Sequence, residues 1–293
     1  MWYVCIVIFD VDAWMSDQFG NLQIIRKIGE GGMAAVYLVS INDSSQKFAI
    51  KILNRRLTSN KILQDRFQRE GITQLRLHHP NIIRCYDLNK LNGYIYLVME
   101  YVSGPNLHQV ISHSTGPIPA EFAIPWFCQL LSAMSYAHRE GVIHRDLKPS
   151  NILVKDFSGR IKGNEVLKIG DFGIAKIIGR DGHTEAGAKL GTLFYMSPEQ
   201  IKDSKTIDQR TDIYSLGIIL FQMLCGRLPF RDTSNEYSIM GQIVNMPLPD
   251  PRTFYPHVPE QLVNIIYKAS QKEARHRYKS CEELAAALDF HDI

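Results

Sequence analysis

The chain has 293 residues, of which 45% are hydrophobic and 22% charged, with 20 Gly and 13 Pro. A chain of that size and balance buries a substantial core, which excludes a disulfide-stapled miniature and a collagenous or disordered chain. Lys and Arg number 33 against 30 Asp and Glu, a surplus too small to make nucleic acid or an anionic membrane the main partner.

Five cysteines, Cys5, Cys85, Cys128, Cys225 and Cys281, are scattered without a C-x-x-C pair, and ten histidines include no H-E-x-x-H. A disulfide framework and a protein-ligated zinc site are therefore not expected, and a reducing, cytoplasmic setting fits. Met1 to Phe9 is almost wholly apolar, yet it has no basic n-region and Asp10 and Asp12 interrupt it. It does not read as a signal peptide. An extra strand, a tail, or a start placed upstream of Met15 all remain open, and residues 1–18 are treated as an N-terminal extension. The apolar run Ile213 to Cys225 is shorter than the roughly 20 residues a bilayer needs and reads as a buried helix.

In chain order, β-branched and aromatic stretches bounded by Gly or Asn predict strands at Leu22–Ile28, Ala35–Ser40, Phe48–Leu53, Ile82–Leu88 and Tyr94–Glu100. One helix interrupts them, Ser59 to Leu77, with Ile62, Leu63, Phe67, Ile72 and Leu75 at mostly helical spacing. Beyond Gly104 the pattern turns helical, near Ala120–Glu140, Thr211–Cys225, Glu236–Asn245, Pro259–Gln271 and Cys281–Leu288, with a polar turn at Asp156–Gly163 between two short strands. This change of pattern marks a boundary near residue 103. Pro125 should kink or delay the first of these helices.

Three clusters carry chemistry. Gly29-Glu30-Gly31-Gly32-Met33-Ala34 lies between two strand patterns, where a glycine hairpin can approach a phosphate, although a plain tight turn reads similarly. Lys51 alternates with Ile50 on the following strand, which turns its ammonium to the other face, within reach of phosphate beneath the hairpin; an edge-strand solubility lysine is the plainer reading. His144-Arg145-Asp146-Leu147-Lys148-Pro149-Ser150-Asn151 then sets an acid, a cation and an amide within one loop. Asp146 could take a proton from a hydroxyl, Lys148 could neutralise a phosphoryl group, and Asn151 could offer an oxygen to Mg2+. The third cluster, Gly170-Asp171-Phe172-Gly173, supplies a carboxylate able to share that ion with Asn151.

Together with Ser197-Pro198-Glu199, these motifs resemble, in order and spacing, those of the eukaryotic-type (Hanks-type) serine/threonine protein kinases that also occur in bacteria. The resemblance covers about residues 19–289. It implies an α+β bilobal fold: a small antiparallel sheet with one key helix (N-lobe 19–98), a hinge (99–104) and a larger, mainly helical C-lobe (105–289). It implies Mg-ATP as phosphoryl donor and Ser/Thr-containing proteins as substrates, with no nucleic acid, no membrane anchor in this chain, and a transient homodimer for autophosphorylation.

Residue by residue, the resemblance makes Asp146 the base and Lys148 the partner of the γ-phosphate, with Asn151 and Asp171 on Mg2+. Lys51 would contact the α and β phosphates and pair with Glu70. The phosphates would lie beneath Gly29, Glu30, Gly31, Gly32, Met33 and Ala34. Ile28, Val36, Ala49 and Leu153 would sandwich the adenine, Glu100 and Val102 would bond its edge, and Met99 would stand as gatekeeper. Lys148 and Thr192 imply Ser/Thr specificity. Thr184 is the expected phosphosite, received by Arg145 and Lys176. Arg277 is expected to pair structurally with Glu199, and Asp212 to serve as a structural acid.

Some residues depart from the pattern. Ala34 replaces the usual third glycine, and its methyl is expected to hinder closure of the hairpin. Gly71 costs its helix about 1 kcal/mol relative to Ala, and Gln74 stands where an apolar residue is usual, so an easily displaced helix and low activity before phosphorylation are expected. The alternatives are a pseudokinase scaffold that binds nucleotide or partners without turnover, and a small-molecule kinase sharing the fold.

Overall fold

Strands β1 (Leu22–Glu30), β2 (Ala34–Ile41), β3 (Lys47–Leu53), β4 (Cys85–Leu91) and β5 (Tyr94–Glu100) form one sheet in the order β1-β2-β3-β5-β4. Every neighbouring pair is antiparallel. The computed structural model describes residues 22–41, 45–91, 93–172, 193–202, 207–230 and 235–288; the N-terminal extension lies outside them. The chain divides into two units, one holding the described residues up to Gly71 together with Cys85–Tyr101, the other Ile72–Arg84 and Val102 onward.

Strand alternation organises the first unit. Ile50 and Ile52 pack with Val39 and Tyr96 on one face of the sheet, so Lys51, one residue out of phase, turns to the other. Helix α1 (Lys61–Arg76) begins where the Asn60 side chain accepts hydrogen bonds from the N–H groups of Ile62 and Leu63. It buries Phe67 and leaves Ile62 exposed. Gly71, read from sequence as a weakness, permits close packing here: a Cβ at this position would stand 2.4 Å from Leu97 Cδ2 and 3.2 Å from the Leu88 methyls.

The second unit is mainly helical: α2 (Ala120–Arg139), α3 (Pro198–Lys202), α4 (Arg210–Cys225), α5 (Glu236–Asn245), α6 (Glu260–Ala269) and α7 (Cys281–Ala286), with a two-stranded sheet of β6 (Ile152–Lys155) and β7 (Val166–Ile169). Helix α4 is buried from Thr211 to Cys225, as its almost unbroken apolar run requires. It ends where Gly226, at φ 70°, donates its N–H to the Gln222 carbonyl.

Two expectations change. The strand expected at Ile82 starts at Cys85, because the preceding backbone pairs with β7: Ile169 N–H donates to the Asn81 carbonyl and Ile83 N–H to the Ile169 carbonyl, each at 2.8 Å. Pro125 neither delays nor breaks α2, which runs through it from Ala120 to Arg139; the proline costs the one bond that would run to the Glu121 carbonyl.

Candidate active site

In the first unit the tip of the β1–β2 hairpin is held from outside itself. Gly31 N–H donates to the Ala34 carbonyl at 2.9 Å. The Asn54 side chain donates to the carbonyls of Gly31 and Gly32 at 3.3 and 3.2 Å, and its own N–H donates to the Met33 carbonyl at 2.9 Å. Asn54 was not singled out from sequence; only its place just after β3, 22 and 23 residues from Gly32 and Gly31, gives it this role. Ala34 opens β2 opposite Leu53, is buried, and has no left-handed φ, so the expected hindrance at the hairpin falls away.

Ile28, Gly29 and Glu30 close β1, and Val36 lies opposite both Gly29 and Lys51. Ala49 pairs with Met99 across β3 and β5, and Glu100 ends β5. Lys51 Nζ lies 2.6 Å from Glu70 Oε1, with the two side chains only 14% and 9% exposed. An ion pair so poorly hydrated holds only while its geometry is kept, since loss of either partner strands a charge. Val102 and Leu153 belong to the second unit, where the backbone approaches β6 closely: Gly104, at φ 149°, has no room for a Cβ, which would stand 2.1 Å from the Val154 carbonyl oxygen.

In the second unit the loop from His144 to Asn151 hangs on one buried carboxylate. Asp212 accepts hydrogen bonds from His144 N–H and Arg145 N–H, each at 2.8 Å, and from His138 Nε2 at 2.8 Å. His138 Nδ1 is then left to accept from the Cys281 thiol at 3.7 Å. Burial pushes that thiol well above its ordinary value, which keeps it a donor. His144 Nδ1 accepts from Asp146 N–H at 3.3 Å, so Nε2 carries the proton donated to the Gly170 carbonyl at 3.0 Å. The same ring lies 4.7 Å from the Phe172 ring.

Arg145 and Asp171 both take left-handed backbone angles, φ 63° and 54°. Such strain in residues with side chains persists only where surrounding bonds over-determine it. Gly170 allows the approach beside it, since a Cβ would stand 2.7 Å from Ile83 Cδ1.

Within the loop, Lys148 Nζ is 3.1 Å from Asp146 Oδ2. Asn151 Nδ2 donates to the Asp146 carbonyl at 2.9 Å, which leaves Oδ1 as the acceptor of that amide. An amide oxygen and the Asp171 carboxylate are hard donors that suit a hard divalent cation rather than a thiophilic one.

The segment after the loop is tied to it. Gln200 Nε2 donates to the Arg145 carbonyl at 2.8 Å, and Ser197 and Thr211 share a hydroxyl bond at 2.5 Å. Arg277 meets Glu199 in two bonds of 2.6 and 2.7 Å, as expected, and spends its remaining N–H groups on the carbonyls of Arg210, Gln271 and Lys272. His138 and Gln200 escaped the sequence reading because their partners lie 74 and 55 residues away. Lys176, Thr184 and Thr192 lie outside the described residues. Among the described residues no helix is long and apolar enough to cross a membrane.

The chain matches the family described as protein kinase domain over residues 22–287. The serine/threonine-protein kinase PrkC of Bacillus subtilis is 39% identical over 269 residues, which cover 92% of this chain and 40% of that protein. PknE of Mycobacterium tuberculosis, another serine/threonine-protein kinase, is 32% identical over 270 residues, 92% of this chain and 46% of its own length. This chain thus spans less than half the length of either relative. Among solved structures, the kinase domain of Mycobacterium tuberculosis PknI superposes with a TM-score of 0.68 at 24% identity, covering 92% of this chain and 95% of that one, a likeness of fold.

Proposed function

Because this chain belongs to the protein kinase domain family, whose members use ATP and a divalent metal on protein substrates, we propose that it transfers the γ-phosphoryl group of ATP to serine and threonine hydroxyls, with Mg2+ as its metal. The observation that carries this reading is the construction around Asp146: a carboxylate 3.1 Å from the Lys148 ammonium, in a loop anchored to buried Asp212.

Asp146 orients the substrate hydroxyl and takes its proton as the oxygen bonds to the γ-phosphorus; the bond to the bridging oxygen breaks and ADP departs. Lys148 offsets charge on the transferring group. Lys51, oriented by Glu70, grips the α and β phosphates beneath the hairpin of Gly29 to Ala34. Asn151 and Asp171 would hold the metal, which when bound would neutralise phosphate charge. Ile28, Val36, Ala49, Met99 and Leu153 enclose the adenine, and the main chain of Glu100 and Val102 bonds its edge. Phosphorylation of Thr184 in a transient homodimer, read by Arg145 and Lys176, is the proposed control, and Thr192 a further contact of the loop.

Incubation with Mg-ATP followed by mass spectrometry is expected to find phosphate on Thr184 of the natural chain and none on Asp146→Ala. That variant should lose about 10²-fold or more in kcat while still binding ATP. Near-normal turnover of Asp146→Ala would end the assignment.

A further inference from the structure

We propose that Cys281 is a positioning residue for the reaction: its S–H bond fixes the tautomer of His138, and that ring completes the seat of Asp212, whose carboxylate holds the backbone beside Asp146. The proposal rests on the kinase reading above. It adds to the catalytic loop a side chain 143 residues from the histidine it touches.

Cys281 opens α7 and is fully buried; His138 lies in the last turn of α2 with its side chain 5% exposed. Sγ stands 3.7 Å from Nδ1, the contact of a weak sulfur donor. Nε2 of the same ring stands 2.8 Å from Asp212 Oδ2. A carboxylate only accepts, so Nε2 carries a proton, and Nδ1 of that tautomer turns its lone pair to the sulfur. Burial, with the charges of Asp212 and Glu282 nearby, holds the thiol well above its ordinary value, so Sγ keeps the hydrogen that Nδ1 accepts. All three groups agree on one direction of donation.

The tautomer matters because Asp212 carries the loop. Oδ2 also accepts from His144 N–H and Oδ1 from Arg145 N–H, so one fully buried carboxylate gathers three donors. A ring protonated at Nδ1 alone would set a lone pair against Oδ2 and leave that buried charge short of a donor. Arg145, at φ 63°, holds its left-handed backbone only while such bonds persist. A donor role and a packing role for Cys281 rank its replacements in opposite orders. Serine supplies a hydroxyl donor but brings a polar group into the core, whereas valine fills the space and donates nothing.

The test compares Cys281→Ala, Cys281→Val and Cys281→Ser with the natural chain, using Mg-ATP and a generic basic protein substrate. Alanine and valine are expected to lower kcat about fivefold or more at unchanged KM for ATP, and serine, by restoring a donor, to rescue most of that loss. Amide hydrogen exchange at His144 and Arg145 should quicken in the alanine and valine variants and return toward the natural rate with serine. Nitrogen-15 spectra of the histidine-labelled natural chain should place the His138 proton on Nε2 alone. Natural kcat with valine and impaired kcat with serine would show a merely structural role and overturn the proposal. So would a proton found on Nδ1 of the natural chain, a result that stands even if a variant does not fold. If no chain, the natural one included, transfers phosphate, the kinase reading falls, and the exchange rates with the ring spectrum alone decide whether Cys281 seats the loop.

Discussion

The two units hold their chemical groups in opposite ways. In the second, Asp146 stands in a loop whose backbone is bonded to Asp212, whose neighbouring histidine uses both ring nitrogens, and whose preceding carbonyl accepts from Gln200. In the first, Lys51 of β3 forms an ion pair with Glu70 of α1, next to a glycine that packs against Leu97. Over-determination suits a base that must keep one geometry. An ion pair whose partners sit on separate elements suits control, because a small free energy can part them.

The largest expected effect tests the rigid side of this contrast. Arg277→Met strips Glu199 of its partner and frees three carbonyls, and should cost about 3–5 kcal/mol in denaturant unfolding. A loss below about 1 kcal/mol, the range of surface pairs, would abolish the contrast.

Next comes the pliable side. Gly71→Ala gains about 1 kcal/mol of helix propensity but forces a methyl against Leu97, so a net loss of about 1–2 kcal/mol and a fall in kcat are expected. Increased activity in that variant would restore the sequence-based view of Gly71 as a weakness.

The smallest effect is one of pH. Lys272 donates to the Ile243 carbonyl at 2.6 Å and lies 5.1 Å from the Phe230 ring, and burial, with Arg277 and Lys202 nearby, lowers it from 10.5 to about 8. Below that value both folded and unfolded chains carry the proton and the burial penalty is complete. Between about 8 and 10.5 the unfolded chain binds the proton more strongly, so this group adds stability as pH rises. Lys272→Met should flatten that part of a stability profile measured by denaturant midpoint at successive pH values; an unchanged slope would remove Lys272 as its source.

Much of this was legible in the sequence because it is local. Strand alternation set Lys51 opposite Ile50, and helical spacing laid out α1 to within two residues at its start and one at its end. The contact of Arg277 with Glu199 was less so: it was expected only because the family resemblance supplied the pairing. Where reading failed, the cause was distance along the chain. Ile82 and Ile83 look like strand continuous with Cys85–Leu91 by composition, but the backbone from Asn81 to Ile83 is bonded to β7, more than 80 residues away. Propensity charged Gly71 with a cost without seeing Leu97 above it, and it weighed the methyl of Ala34 without seeing that β2 absorbs it.

Helix α4 has no face turned to water between Thr211 and Cys225. Nearly every substitution there must therefore meet a packed neighbour, and a new charge has nowhere to go. Substitutions at outward positions such as Ile62 or Tyr237 meet water instead, so the chain should absorb them at far smaller cost than any change in this central mast.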